Sequence, residues 1–122
     1  MAVLSCVYVE NDNFDSGTPG PTSYTGTSGR CTLHGLISMG TYSSTTPLTG
    51  SDPHFVTLKN GSASGDTLIK VCDSINGYNN IENCGPVITD IPGRGVLFDS
   101  GINVTMSQGC MGVSLIVEGA DS

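Results

Sequence analysis

At 122 residues the chain has room for one domain with its own core, and not for two. Its formal charge of -7, set against only four basic residues (Arg30, Lys59, Lys70, Arg94), argues against nucleic acid and against an anionic membrane surface, both of which need clustered Lys and Arg. Alanine occurs only at Ala2, Ala63 and Ala120, while Gly, Ser, Thr and Asn separate the apolar runs, a composition that favours strands and turns over helix interiors.

In chain order, Met1 to Val9 lacks a basic leader and a long apolar stretch, and it alternates like a strand. It is therefore read as a first strand over Val3–Val9 rather than a signal peptide. No apolar run approaches the roughly 20 residues that span a bilayer, so a soluble protein is expected. Glu10 to Gly29 is polar and holds Pro19-Gly20-Pro21, which prevents regular pairing. Residues 1–28 are accordingly expected to be a strand plus an arm or linker that reaches a neighbouring subunit, and residues 29–122 a β-sandwich domain.

Cys31 to Met39 returns to strand character, with Leu33, Ile37 and Met39 on one parity and Gly35 at a bulge or close approach. Gly40 to Pro53 reads as a Ser/Thr-rich loop. A hairpin follows: Phe55 to Lys59, a loop over Asn60 to Asp66, then Thr67 to Cys72, with Asn60-Gly61 favouring the turn and Gly65 offering a second positive φ. Asp73 to Gly85 shows no pattern, and Pro86 to Ile91 reads as a short edge strand flanked by prolines.

The final third gives the clearest pattern. Val96-Leu97-Phe98, Ile102 to Ser107 and Val113 to Glu118 are short strands joined by glycine turns. Ile102, Val104 and Met106 share one face, opposite Asn103, Thr105 and Ser107. Val113, Leu115 and Val117 point inward with Ser114 and Glu118 outward, and Ile116 breaks the alternation. The sum is an all-β chain of about seven or eight strands, an antiparallel two-sheet sandwich or jelly roll.

Chemistry finds little purchase in this inventory. Cys6, Cys31, Cys72, Cys84 and Cys110 lack any C-x-x-C pair, so they read first as small buried hydrophobes, with a Cys72–Cys84 bridge as the alternative. His34 and His54 read as structural, and no nucleophile elbow, zinc motif or phosphate loop is present. Glu10, Glu82 and Glu118 are too dispersed to propose a carboxylate pair. Asn11, Asp12, Asn13 and Asp15 crowd oxygens ahead of Gly17, but the EF-hand spacing fails and a solvated acidic turn is expected instead. Asn60-Gly61-Ser62 and Asn103-Val104-Thr105 match the glycosylation sequon, which arises readily by chance. Arg94, between Gly93 and Gly95, is an exposed-turn candidate for a partner contact, with a solvated turn as the plainer reading. No catalytic, cofactor or metal residues are assigned, and an enzyme is not expected.

Three segments carry a family resemblance: Cys31-Thr32-Leu33-His34-Gly35-Leu36-Ile37, the hairpin from Phe55 to Ile69, and Ile91 to Val104 with a closing strand. Their order resembles that of small virion proteins of tailed bacteriophages, of the capsid decoration and head-fibre type. The chain departs from that pattern in its first 28 residues, its cysteine number and the insert from Asp73 to Gly85. The resemblance implies a mechanical function without catalytic residues. A decoration or cement protein would bind the major capsid protein, or another virion subunit, and stabilise the head exterior. It would reside in the virion after synthesis in the host cytoplasm, as a symmetric oligomer such as a trimer. A tail or head-fibre component fits the same order of elements. A carbohydrate-binding or adhesive sandwich is the reading from another class, weakened by the absence of Trp and an aromatic content of 6%.

Overall fold

The computed structural model describes residues 3–12, 22–39, 41–42, 55–72, 83–84, 87–106 and 110–119. The elements are β1 (Leu4–Glu10), β2 (Thr22–Thr25), β3 (Cys31–Ser38), β4 (Thr41–Tyr42), β5 (Phe55–Asn60), β6 (Thr67–Cys72), β7 (Asn83–Cys84), β8 (Val87–Asp90), β9 (Val96–Phe98), β10 (Ile102–Met106) and β11 (Gly112–Glu118). All described pairings are antiparallel, and there is no helix among the described residues. Nine strands form two sheets, slightly more than the sequence suggests. A five-stranded sheet runs β1-β11-β3-β8, with β9 also on β3, and a four-stranded sheet runs β2-β10-β5-β6. The two-residue pair β4–β7 stands apart, within stretches read as loops.

Alternation builds the sandwich. Val113, Leu115 and Val117 from β11 meet Ile102, Val104 and Met106 from β10, all fully buried, and Leu33, Leu36, Val56, Leu58 and Phe98 complete one shared core. A one-residue slip in either strand would turn its whole apolar set to solvent, which fixes the register.

β3 departs from simple alternation. Leu33 faces Val117 and Gly35 faces Ile116, so β3 carries one extra residue opposite a single step of β11. The bulge reverses parity: Cys31 and Leu33 point inward before it, Leu36 and Ser38 after it. The expectation that Ile37 and Met39 share the face of Leu33 is corrected for this reason, while Gly35 does mark the bulge. A Cβ at Gly35 would sit 3.1 Å from the Thr89 carbonyl oxygen, so the residue also lets β8 approach closely.

The described part of the expected arm folds into the sandwich. Thr22–Thr25 pairs with β10, since Ser23 and Thr25 face out while Tyr24 packs on the core. Beyond it, Gly26 N and Thr27 N donate to Ile102 O at 2.8 and 3.1 Å, and the buried Thr27 Oγ1 accepts from Ile102 N at 3.0 Å. The Pro19-Gly20-Pro21 element lies outside the described residues. In the central hairpin Gly61 has φ of +86°, as a turn requires, but Gly65 does not adopt a positive φ. Glycine is needed there because a Cβ would overlap the Asn60 carbonyl.

Candidate interaction face

The register of the five-stranded sheet determines which side chains leave the core. Leu4 pairs with Glu118, Cys6 with Ile116 and Tyr8 with Ser114; these pairs lie opposite in parity to Val9, Val113, Leu115 and Val117, and so face outward. Across β11, Ser114 pairs with Ile37 and Glu118 with Thr32; beyond β3, Ile37 pairs with Ile88 and Thr32 with Leu97. The outer surface of this sheet therefore interleaves large apolar side chains with polar ones. Leu4 is 55% exposed, Tyr8 50%, Ile88 74% and Leu97 44%, with Ile37 and Ile116 half-buried among them. Four strongly exposed large apolar side chains on one sheet face, with Ser114, Glu118 and Thr32 set between them, are the kind of surface found at interaction sites.

Charge on this face is acidic. Glu10, Asp90 and Glu118 lie on its outward positions. His34, lifted by the bulge, bonds through Nε2 to Glu118 Oε1 at 2.9 Å, so this histidine and a carboxylate distant in sequence come together. Burial, then the charges of Glu10 and Cys110, raise the Tyr8 phenol above its ordinary pKa.

The outer surface of the four-stranded sheet differs. Ser23, Thr25, Asn103, Thr105, Thr57 and Thr67 populate it together with both lysines of the chain, and its apolar members are Phe55 and the exposed Leu68 at the β6 bulge. Lys59 Nζ donates to Ala63 O at 3.0 Å, and Lys70 Nζ stands 4.4 Å from the Phe55 ring centroid. Asn103 is 7% exposed, so its sequon is not an accessible acceptor, and its Oδ1 accepts no hydrogen bond among the described residues.

Of the other residues weighed from sequence, Asn11 is buried rather than solvated. Its Nδ2 donates to Cys110 O at 2.7 Å, and Tyr24 shares its hydroxyl proton between Asn11 Oδ1 at 2.9 Å and Asp12 Oδ1 at 2.7 Å. These oxygens tie β1 to β2 and to the turn before β11; Asn13, Asp15 and Gly17 lie outside the described residues, as do His54 and Glu82. No group of three or more His, Cys, Asp or Glu that could hold a metal ion occurs among the described residues. Arg94 sits on an exposed turn where Gly93 and Gly95 have φ of +76° and +82°. Cys31 and Cys110 are buried thiols as expected, but Cys6 is an exposed one, because its parity places it on the outer face. The side chains of Cys72 and Cys84, and with them the alternative bridge, lie outside what is described. Sequence reasoning did not find Leu4, Tyr8, Ile88 and Leu97 as surface residues; the one signal was Ile116, whose break in alternation lies in their midst.

The chain matches no family model, no curated protein and no solved structure. Among the described residues no helix is long and apolar enough to cross a membrane.

Proposed function

We propose that the chain is a structural virion protein of a tailed bacteriophage, a decoration protein that binds the major capsid protein on the outside of the head. Its role is mechanical, with no catalytic step and no cofactor. The observation that carries this reading is the set of exposed apolar side chains spread over the outer face of the five-stranded sheet, Leu4, Tyr8, Ile88 and Leu97. Support also comes from the order of strand and turn segments that resembles small virion proteins, and from the scarcity of basic residues, which disfavours nucleic acid as the ligand. A surface buried only when subunits are assembled stabilises the assembled state by mass action, and repetition over a lattice multiplies the effect. Tail and head-fibre attachment are the competing locations.

The test is co-sedimentation of the purified chain with intact phage heads, tails and whole particles, alongside Ile88→Asp and Leu97→Asp. Binding to heads that both substitutions abolish, while thermal melting is unchanged, is the expected result. Binding confined to tails would move the protein to the tail or fibre. Failure to bind any particle would overturn the reading.

A further inference from the structure

We infer that β1 is a self-pairing edge, through which two copies of this chain join their five-stranded sheets into one continuous sheet about a two-fold axis at Cys6. This does not rest on the virion reading, because every element of it is internal to the chain.

The edges of the two sheets are not alike. At the far side of the five-stranded sheet, β8 and β9 are short and are interrupted by Pro92 and the glycine turn around Arg94. In the four-stranded sheet β2 has four residues, and β6 carries a bulge at Leu68 and the charge of Lys70. Short length, bulges, prolines and lysines are the ordinary means of blunting an edge. β1 has none of them between Leu4 and Val9: its seven pairs with β11 run without a shift, and no described strand covers its other side.

The free backbone groups can be assigned. Asn11 N donates to Met111 O at 3.1 Å, and Met39 N donates to Gly112 O at 2.9 Å. Gly112 thus turns its backbone groups to β3, and its opposite number Glu10 turns its own away from β11. Hydrogen-bonding direction alternates along an antiparallel strand, so Leu4, Cys6, Tyr8 and Glu10 all aim N–H and C=O at the open edge. The side chains of the same four residues lie on the outer face.

Self-pairing about a two-fold axis perpendicular to the sheet keeps outer face with outer face, and so sets residues of like parity opposite one another. An axis at Cys6 places Leu4 opposite Tyr8 of the second copy, Ser5 opposite Val7 and Val3 opposite Val9, an overlap in which no charge faces an apolar group. An axis at Val7 would oppose Leu4 to Glu10, and one at Tyr8 would oppose Cys6 to Glu10 and Leu4 to Asp12. An axis at Ser5 shortens the overlap. The Cys6 register is therefore the longest apolar match, and it holds the Glu10 carboxylates at opposite ends. Such a dimer is isologous, and it doubles the apolar outer face into one plane.

The test is sedimentation equilibrium of the full chain from low micromolar to millimolar concentration, with Cys6→Lys beside the wild type. The expected result is a wild-type dimer and a loss of dimer affinity on the order of 100-fold when two ammonium groups meet on the axis. Cys6→Pro is the second variant: it deletes an N–H that faces the open edge and leaves the β11 ladder whole. It should give a folded monomer where Val7→Pro, which removes an inward bond, should unfold. A short bis-maleimide should link wild-type copies through Cys6 and fail with Cys6→Ser. In the Cys6→Ser background, mixed Leu4→Cys and Tyr8→Cys chains should cross-link to each other more than to themselves. A wild-type monomer throughout, a trimer, or a dimer indifferent to both Cys6→Lys and Cys6→Pro would overturn the proposal.

Discussion

The two outer surfaces of the sandwich are built on the same core and yet prepared for different surroundings. The four-stranded sheet shows solvent mainly Ser, Thr and two lysines, with Leu68 its one strongly exposed large apolar side chain among the described residues, whereas the five-stranded sheet shows Leu4, Tyr8, Ile88 and Leu97 beside three carboxylates. Burial against the core demands only one apolar side chain in two, so the second apolar set on β1, β8 and β9 is not explained by folding. A partner that covers it, as proposed above, would account for it. The two proposed contacts, a virion neighbour on the face and a second copy at the β1 edge, use different parts of the sheet and can coexist: edge pairing extends the face that the neighbour covers.

If the asymmetry is confined to the outside, changes in the shared core should affect both sheets alike. Leu115→Ala in the five-stranded sheet and Leu58→Ala in the four-stranded sheet, each fully buried, should both lose roughly 2–5 kcal/mol in urea denaturation. Losses differing by more than that spread would show that one sheet carries the stability, and the comparison of outer faces would have to be redrawn. Next in size is the tie between the sheets: Asn11→Leu removes a buried donor to Cys110 O and one of the two acceptors of Tyr24, and should cost about 1–3 kcal/mol. A neutral result would mean that the contacts of Asn11 do not hold β1 to β2 and the turn before β11.

Smaller still are the effects on folding of charges placed on each face. Ile88→Asp and Thr57→Asp should each change unfolding free energy by about 0.5 kcal/mol or less, since neither side chain is needed by the core. Their effects on binding should diverge: Ile88→Asp should abolish attachment to phage heads, and Thr57→Asp should leave it intact. Equal loss from both would indicate that attachment is not confined to the apolar face.

How much of this was legible beforehand differs along the chain. The inward sets of Ile102 to Met106 and Val113 to Val117 follow directly from alternation because their partners lie on both sides; Asn103, buried on the outward parity, is the exception. In β3 the glycine marks a bulge position but not its consequence for parity, so alternation alone puts Ile37 and Met39 on the wrong face. Thr22–Thr25 was hidden by the surrounding Ser, Thr and Pro, and becomes a strand only because Tyr24 finds the core and the hydroxyl acceptors of Asn11 and Asp12. The outer face was the least legible part. Ile88 and Leu97 sit in strands of four and three residues, too short for periodicity to tell inside from outside, and they come onto one face only because both strands pair with β3.

The finest test concerns Tyr8, which stands on the apolar face beside Glu10 and whose hydroxyl lies over Gly112, where a Cβ would collide with it. Burial first, then the charges of Glu10 and Cys110, disfavour its phenolate and raise its pKa above the ordinary value of 10.0. The folded chain thus holds this proton to higher pH than the unfolded chain does. The stability tied to the neutral phenol is fully present below pH 10.0 and is lost as pH rises through the raised value. Tyr8→Phe has no proton to lose, while the remaining tyrosines titrate in both proteins and cancel in the difference. The melting temperatures of the two should keep a constant gap at neutral pH and shift in favour of Tyr8→Phe in the alkaline range, a small effect because the group is half exposed. Raising protein concentration should enlarge the shift, since pairing of β1 edges covers the ring further. A gap that is flat across pH would show that solvent screens the phenol fully, and that this corner of the face is wetter than its neighbours Leu4 and Ile116.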